Sequence, residues 1–155
     1  MAIYKIVELG NVILREPAKK VPRITKNVIK LLNNMADTLY NAKGVGLAAP
    51  QVGVSKRVIV IDDGEGDGLL ELINPEILEF EGEATDTEGC LSVPGKMGDV
   101  TRPETIKLKY QDRQGQEQII QTCGLKARAI QHEVDHLNGI LIVDIASNMR
   151  PIPQE

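Results

Sequence analysis

Apolar residues late in the chain recur with the spacing of one face of a helix. Between residues 125 and 137 they follow one another at intervals of three or four positions, and the members of the set are Leu125, Ala129, Ile130, Val134 and Leu137. Gly124 precedes the segment, and Asn138-Gly139 follows it with residue types suited to the left-handed backbone that ends many helices. The pattern predicts a helix with one buried face.

A second helical pattern lies in the first third of the chain. Its apolar positions are Val28, Leu32, Met35 and Leu39. Thr25 is a residue type that commonly caps the start of a helix, and Lys43-Gly44 is suited to end one. This helix is most simply part of the core.

The middle of the chain is dominated by patterns typical of strands. Residues 57–62 form a β-branched run, and residues 106–110 alternate apolar and polar side chains. The full set of predicted extended segments is 57–62, 69–73, 75–80, 106–110 and 118–120. A bend is expected at Asn74-Pro75, a hairpin turn at 112–115, an exposed loop at 62–68 and a glycine-rich loop at 44–51.

The order of these elements predicts an α+β fold with antiparallel β-sheets packed around the central helix over 125–137 and an additional N-terminal helix. A chain of 155 residues is expected to form a single domain over residues 1–155. The tail from Ser147 to Glu155 contains two prolines and is expected to be frayed.

Composition excludes several classes of protein. The formal net charge is -4, and the chain has one Phe, three Tyr and no Trp, so the basic field and stacking platforms of nucleic-acid binders are missing. No apolar run approaches the length of about 20 residues that spans a bilayer, and the N-terminus has no signal-peptide core. We therefore expect a cytoplasmic protein with both cysteines reduced, no membrane partner and no sequence-specific nucleic-acid partner.

The predicted central helix carries both histidines of the chain, His132 and His136, in a His-Glu-x-x-His pattern. Positions i and i+4 share one helix face, so both imidazoles can converge on one metal ion. A metal with Glu133 beside its ligands can activate water for hydrolysis. The alternative is a core helix whose histidines only form hydrogen bonds.

The third metal ligand has few candidates, because no other histidine exists. The metzincin pattern would need a histidine where Ile142 stands, and a thermolysin-like glutamate could only be Glu155. If the helix extended back to Cys123, that residue would lie about 13 Å from His132 along the axis. We therefore interpret Cys123 as a small buried residue.

Cys90 is the better candidate for the third ligand. It lies in the segment Glu88-Gly89-Cys90-Leu91-Ser92, where a glycine lets the backbone come close to a ligand. Two alternatives stay open: a zinc endopeptidase of another family, and a closed structural metal site in which Glu88 or Cys123 fills the fourth position.

Three segments of the chain resemble the three motifs of peptide deformylases. They are Gly44-Val45-Gly46-Leu47-Ala48-Ala49-Pro50-Gln51, Glu88-Gly89-Cys90-Leu91-Ser92 and Gln131-His132-Glu133-Val134-Asp135-His136-Leu137-Asn138-Gly139. The resemblance continues through residues 72–77, 93–95 and 124–131, and so covers most of the chain up to about residue 144. It implies hydrolytic removal of the formyl group from N-formylmethionine at the start of new polypeptides.

The resemblance also implies roles for particular residues. Glu133 would transfer the proton, and the oxyanion would be stabilised by the Gln51 amide and the Leu91 backbone N–H. The ion would be one divalent metal held by Cys90, His132 and His136. Fe(II) is expected in cells, and zinc, nickel or cobalt are accepted by the same donor types.

The substrate groups are assigned in the same way. Backbone groups of Val45, Gly46 and Gly89 would follow the bound peptide as an added strand does. The methionine pocket would be lined by Val45, Leu125, Ala129 and the His132 ring, with Arg128 at its rim. Support around the ligands is expected from Glu88, Asp135 and Arg102, and the resemblance implies a salt bridge between the last two. The partners would be N-formylmethionyl nascent peptides, with at most a weak ribosome contact, because the short C-terminal tail lacks the long helix of some relatives.

Overall fold

The structure, a computed structural model, describes residues 2–153 of the chain. The helices are α1 Lys26–Ala42, α2 Gly124–Leu137 and the short α3 Ile142–Ile145. The strands are β1 Gly46–Ala48, β2 Val58–Ile61, β3 Leu70–Glu81, β4 Ala84–Cys90, β5 Val93–Arg102, β6 Thr105–Gln111, β7 Glu117–Cys123 and β8 Ser147–Pro151. Two 3-10 turns, Val12–Arg15 and Ala49–Val52, complete the regular elements in this part of the chain.

Helix α1 begins and ends where the sequence predicts. The Thr25 hydroxyl accepts a hydrogen bond from the Val28 N–H at 3.4 Å, which satisfies a donor that the first turn would leave free. The helix ends at Lys43, whose φ of 57° is left-handed. The predicted apolar face, which includes the fully buried Leu32 and Met35, packs into the core.

Helices α1 and α2 lie on opposite sides of a five-stranded antiparallel sheet with the order β1-β2-β3-β6-β7. The two faces of β2 show the arrangement, since Ile59 and Ile61 pack with the α2 residues and Val58 and Val60 pack with those of α1. This double burial explains why β2 reads as a continuous β-branched run. The predicted α+β fold, with a central helix and an additional N-terminal helix, is confirmed.

Several local predictions are refined by the structure. The segments 69–73 and 75–80 form one long strand, β3, bent at Asn74, whose φ is 52°. The Asn74 side chain stabilises the bend by bonding both the N–H and the C=O of Val21. The predicted hairpin is confirmed as β6 and β7, whereas the predicted glycine-rich loop at 44–51 contains β1 and most of a 3-10 turn.

A three-stranded antiparallel sheet, ordered β4-β5-β8, was not predicted. The expected fraying of the tail is wrong for residues 147–151, because they form β8 and pair with β5, with Met97 opposite Arg150. Gly98 permits this pairing, since a Cβ there would lie 2.8 Å from the Ala146 Cβ. Gln154 and Glu155, also part of that prediction, lie outside the described residues.

Two predictions of burial are wrong. Leu125 was expected on the buried face of α2, but half of its surface is exposed, because it lies in the first turn of the helix beside an open cleft. Cys123 was expected to be buried, but it is exposed at the end of β7. Among residues 2–153, no helix combines the length and apolar character needed to cross a bilayer.

Candidate active site

Cys90, His132 and His136 meet at one point. Cys90 ends strand β4, and the two histidines lie one turn apart on the buried face of α2. One donor atom from each of the three lies within 4.8 Å of the others, and the Cys90 Sγ is 3.3 Å from the His136 Nε2. Three protein donors on one side of a cleft match a metal centre that keeps a position open for water or substrate.

The chemistry of this cluster fits a transition-metal ion. One thiol and two imidazoles are donors that iron, zinc, nickel and cobalt all accept. Burial lowers the pKa of the His132 ring, but the neighbouring Glu133 carboxylate and Cys90 raise it to about 10. These groups therefore favour a positive charge at this point, and they would stabilise a metal cation in the same way.

Glu88 lies behind the cluster and orients one of its histidines. Its carboxylate accepts hydrogen bonds from Arg102 at 2.6 and 2.9 Å and from the His132 Nδ1 at 2.9 Å. Burial raises the pKa of Glu88, but the bonds from His132 and Arg102 lower it to about 2. An ionised carboxylate only accepts, so the His132 Nδ1 carries a proton, and Nε2 is the ring nitrogen that a metal ion would bind in exchange for its own proton.

This arrangement bears on the closed-site alternative. The Glu88 carboxylate is already shared between an imidazole and two guanidinium groups, and Cys123 is exposed and lies outside the cluster. Neither of the two residues considered for a fourth protein ligand is among the residues that can hold the ion.

Asp135 is connected to His132 through Arg102 and Glu88. Its carboxylate accepts a hydrogen bond from Arg102 at 2.8 Å, and Arg102 in turn holds Glu88. The expected salt bridge between Asp135 and Arg102 is therefore present, and the group that contacts a ligating ring is Glu88. Within the described part of the chain, the buried His136 Nδ1 has no hydrogen-bond partner.

Arg128 is held more firmly than a residue at a pocket rim. Arg128 lines the cleft, and its guanidinium donates to Glu88 at 2.6 Å, to the Val100 carbonyl at 2.9 Å and to the Ala84 carbonyl at 2.8 Å. Since Ala84 belongs to β4 and Val100 to β5, this side chain ties α2 to the smaller sheet. Its guanidinium is thus paired within the protein, and the side chain is only 11% exposed.

Glu133 is a buried carboxyl group beside the cluster. It is 4% exposed, and its Oε1 atom has no hydrogen-bond partner among residues 2–153. Burial raises the pKa of Glu133 to about 7, although the charges of His132 and Arg102 act in the opposite direction. A carboxyl group with a pKa near neutrality can both accept and return a proton.

Gln51 is fixed on the other side of the cluster. Its side chain is buried, and its Oε1 accepts the Ala48 N–H at 2.9 Å. This bond directs the Nε2 donor toward the turn between β4 and β5, where it lies 3.1 Å from the Ser92 Oγ and 3.9 Å from the Cys90 Sγ. Leu91 lies in the same turn and lines the cleft.

Strand β1 passes directly against Glu133. A Cβ built on Gly46 would lie 2.8 Å from the Glu133 Oε2 and 2.8 Å from the Ile61 Cδ1. The left-handed position after α1 is occupied by Lys43, so neither Gly44 nor Gly46 is needed to end that helix. Close approach of the strand explains the glycine at position 46.

Gly46→Ala is expected to reduce activity by about 10²-fold, because the added methyl group would displace the Glu133 carboxylate by up to about 1 Å. Overpacking should also cost about 1–3 kcal/mol in the free energy of unfolding. Steady-state kinetics and thermal unfolding measure the two effects. Gly89→Ala is the stability control, since its Cβ would meet nothing closer than 3.7 Å. Normal activity in Gly46→Ala would contradict the proposed contact.

The cluster opens into a cleft of about 430 Å³. The sequence-predicted residues that line it are Val45, Gly46, Gln51, Gly89, Cys90, Leu91, Leu125, Arg128, Ala129, His132 and Glu133. The cleft is also lined by residues that sequence reasoning missed, namely Gly44, Thr87, Glu88 as a wall residue, Pro94, Gly95 and Ile152. Gly44 and Glu88 lie inside quoted motifs, but no periodic pattern marks Thr87 or Ile152.

Comparisons with known proteins agree with this geometry. A family model described as polypeptide deformylase matches residues 3–151. The peptide deformylase of Pelotomaculum thermopropionicum is 60% identical over 156 residues, covering 100% of this chain and 99% of the relative. That of Carboxydothermus hydrogenoformans is 60% identical over 149 residues, covering 96% and 97%. A crystal structure of a peptide deformylase from Legionella pneumophila gives a TM-score of 0.91 at 47% identity, covering 95% of this chain and 88% of that one.

Proposed function

The chain belongs to the peptide deformylase family, metal-dependent enzymes that remove the N-formyl group from newly made polypeptides, and from this premise we propose how its own residues divide the reaction. The observation that carries the proposal is a buried Glu133 carboxylate beside the Cys90, His132 and His136 cluster at one side of an open cleft. We take residues 1–155 to form one catalytic domain.

Cys90, His132 and His136 are proposed to hold one divalent metal ion, which when bound supplies a water molecule of lowered pKa. The donor set accepts several metals, and we propose Fe(II) as the ion in cells. Elemental analysis of protein prepared without oxygen, compared with its activity, tests the choice of metal. Zinc alone in fully active, freshly prepared protein would contradict it.

Glu133 is proposed to take the proton from the attacking water and to pass it to the leaving amine. Its position beside the cluster, its burial and its pKa of about 7 support this role. The same carboxyl group can act twice because it is regenerated as the amine leaves.

The negative charge that develops on the formyl oxygen is proposed to be stabilised by the Gln51 amide and the Leu91 backbone N–H. The bond from the Ala48 N–H to the Gln51 Oε1 supports this, because it fixes the amide with its Nε2 toward Cys90 and Ser92. Donors that are fixed in advance stabilise a transition state more effectively than donors that must first turn toward it.

The substrate is proposed to lie along the backbone of Val45, Gly46 and Gly89 as an added strand. Its methionine side chain would enter the apolar part of the cleft beside Leu125 and Ala129. The half-exposed Leu125 supports this, because a substrate side chain would cover apolar surface that the free protein leaves in water.

Glu88, Arg102 and Asp135 are proposed to position His132 rather than to touch substrate. Glu88→Gln should therefore lower the metal affinity or the activity of the enzyme by about 10- to 100-fold, because the amide cannot hold both Arg102 and the His132 Nδ1 as an ionised carboxylate does. Competition with a metal chelator measures the affinity. Unchanged chelator resistance and unchanged activity together would refute the positioning role.

We propose that the enzyme works in the cytoplasm on N-formylmethionyl nascent peptides, with at most a weak ribosome contact. Cosedimentation of the protein with translating ribosomes at low and physiological salt tests that contact.

Deformylation and internal peptide cleavage can be separated directly. The protein loaded with Fe(II) should release formate from formyl-Met-Ala-Ser and leave the peptide bonds of the same molecule intact. Mass spectrometry of the products shows both outcomes. Cleavage of acetyl-Met-Ala-Ser or of internal bonds at a comparable rate would favour an endopeptidase instead.

A further inference from the structure

We propose that Ile152, which follows the C-terminal strand β8 and lines the substrate cleft, is a specificity-determining residue for the peptide side chains that follow formyl-methionine. The inference rests on the proposed function. Ile152 would add a second apolar contact region to the cleft. Neither Ile152 nor β8 carries a side chain with a proposed role in the reaction.

Ile152 is held at the cleft by main-chain bonds. Its N–H donates to the Gly95 carbonyl at 2.9 Å, which extends the pairing between β5 and β8 by one residue. Gly95 belongs to a stretch of β5 that bulges out of register with β4, between Val93 and Met97. Gly95 lines the cleft, and the bond therefore fixes the backbone of Ile152 at the edge of the substrate site.

Further contacts hold the strand that leads to Ile152. The Arg150 guanidinium donates to Asp99 at 3.1 Å and to the Thr87 hydroxyl at 3.2 Å. Thr87 itself lines the cleft. At Gly98 the strand passes so close that a Cβ would meet the Met149 Sδ at 2.5 Å and the Ser147 carbonyl oxygen at 3.3 Å. These contacts fix β8 and, with it, the position of Ile152, the residue after the strand that lines the cleft.

Position in the cleft, rather than exposure, carries the inference. Ile152 is 46% exposed, and a single exposed isoleucine is ordinary on a protein surface. Ile152, however, lines the same cleft as Leu91, in the turn between β4 and β5, and Pro94, near the start of β5. The methionine pocket is proposed on α2, so this second apolar surface comes from different elements and remains available for another part of the peptide.

The size of the cleft allows a second contact region. Its volume of about 430 Å³ falls within the range of pockets that enclose a drug-sized ligand. A methionine side chain alone is smaller than such a ligand. A peptide that continues past methionine would cover Ile152, and an apolar side chain at the second or third residue would gain by removing this surface from water.

The test compares formyl-Met-Ala-Ser, formyl-Met-Leu-Ser and formyl-Met-Ala-Leu as substrates of the wild-type enzyme, Ile152→Ala and Ile152→Asp. Ile145→Ala is the matched control, because Ile145 is also 46% exposed but lies on α3 and does not line the cleft. Thermal unfolding of each variant checks that β8 stays in place. Since Ile152→Asp adds a charge that could detach the strand, Ile152→Ala is the decisive variant.

We expect the wild-type enzyme to prefer at least one leucine peptide over formyl-Met-Ala-Ser. In Ile152→Ala this preference should fall by about 3- to 10-fold in kcat/KM, through KM and with kcat unchanged, as loss of a few tens of Å² of apolar contact implies. Ile145→Ala should keep the wild-type preference. An identical leucine preference in wild type and Ile152→Ala, or no leucine preference in the wild type, would overturn the proposal for Ile152. Absence of formate release from all three peptides would instead overturn the proposed function.

Discussion

Glu133→Gln is expected to lower the rate of formate release by about 10²- to 10⁴-fold while the protein keeps its metal and its fold. The amide has nearly the shape of the carboxylate, and Glu133 is not among the three residues of the cluster. The glutamine amide, however, can no longer accept a proton from water. Single-turnover kinetics on formyl-Met-Ala-Ser and metal analysis of the same sample measure both properties.

Glu79→Gln is the control for loss of a glutamate charge, since the Glu79 side chain is 72% exposed on β3 and does not line the cleft. This variant should match the wild-type rate. If Glu133→Gln also kept the wild-type rate with its metal bound, the proton-transfer role would be refuted.

Cys90→Ala is expected to lower metal affinity by at least about 10²-fold, because it removes one of three protein donors. Loss of a residue that only hydrogen-bonds to a metal ligand already lowers affinity by about 10- to 100-fold. Activity should fall with the bound metal. The chain offers its own control in Cys123→Ala, since Cys123 is free, exposed and outside the cluster. Equilibrium dialysis against the metal measures both variants.

The two cysteines should therefore behave oppositely. Cys123→Ala should retain metal and activity at wild-type levels. Equal metal loss in both variants, or metal retention in Cys90→Ala, would show that the thiol of Cys90 does not hold the ion.

Elements with strong local patterns could be predicted from the sequence. Helix α2 has an apolar repeat, and the two-sided burial of β2 appears directly as a β-branched run. Thr25 marks the start of α1 because its hydroxyl accepts a hydrogen bond from the first turn of the helix. In each case the signal is local, since the residues that decide the element lie within it.

The smaller sheet could not be predicted in this way. Strand β4 has the sequence ATDTEGC and buries only Glu88, whose burial depends on ion pairs rather than on an apolar face. Strand β8 is short and ends at Pro151, so it resembles a frayed tail until its pairing with β5 is seen. Both strands are defined by partners that are distant in the sequence.

The candidate site shows the same division. His132, Glu133 and His136 are neighbours on one helix, so their spacing alone brings them together. The partners of Arg128 lie 28 to 44 residues away, and sequence spacing gave no sign that its charge would turn inward. No local sequence pattern marks Ile152, because its place in the cleft depends on the pairing of β8 with β5.

The dependence of deformylation on one metal ion held by Cys90, His132 and His136 underlies every role proposed above. It is tested most directly by removing all metal with a chelator and then titrating Fe(II) back without oxygen, while formate release from formyl-Met-Ala-Ser is followed. Activity should vanish in the stripped protein and return in proportion to added metal, reaching its maximum at one ion per chain. Formate release that persists in the fully stripped protein, or that needs more than one ion per chain, would show that deformylation does not depend on a single metal ion at this cluster.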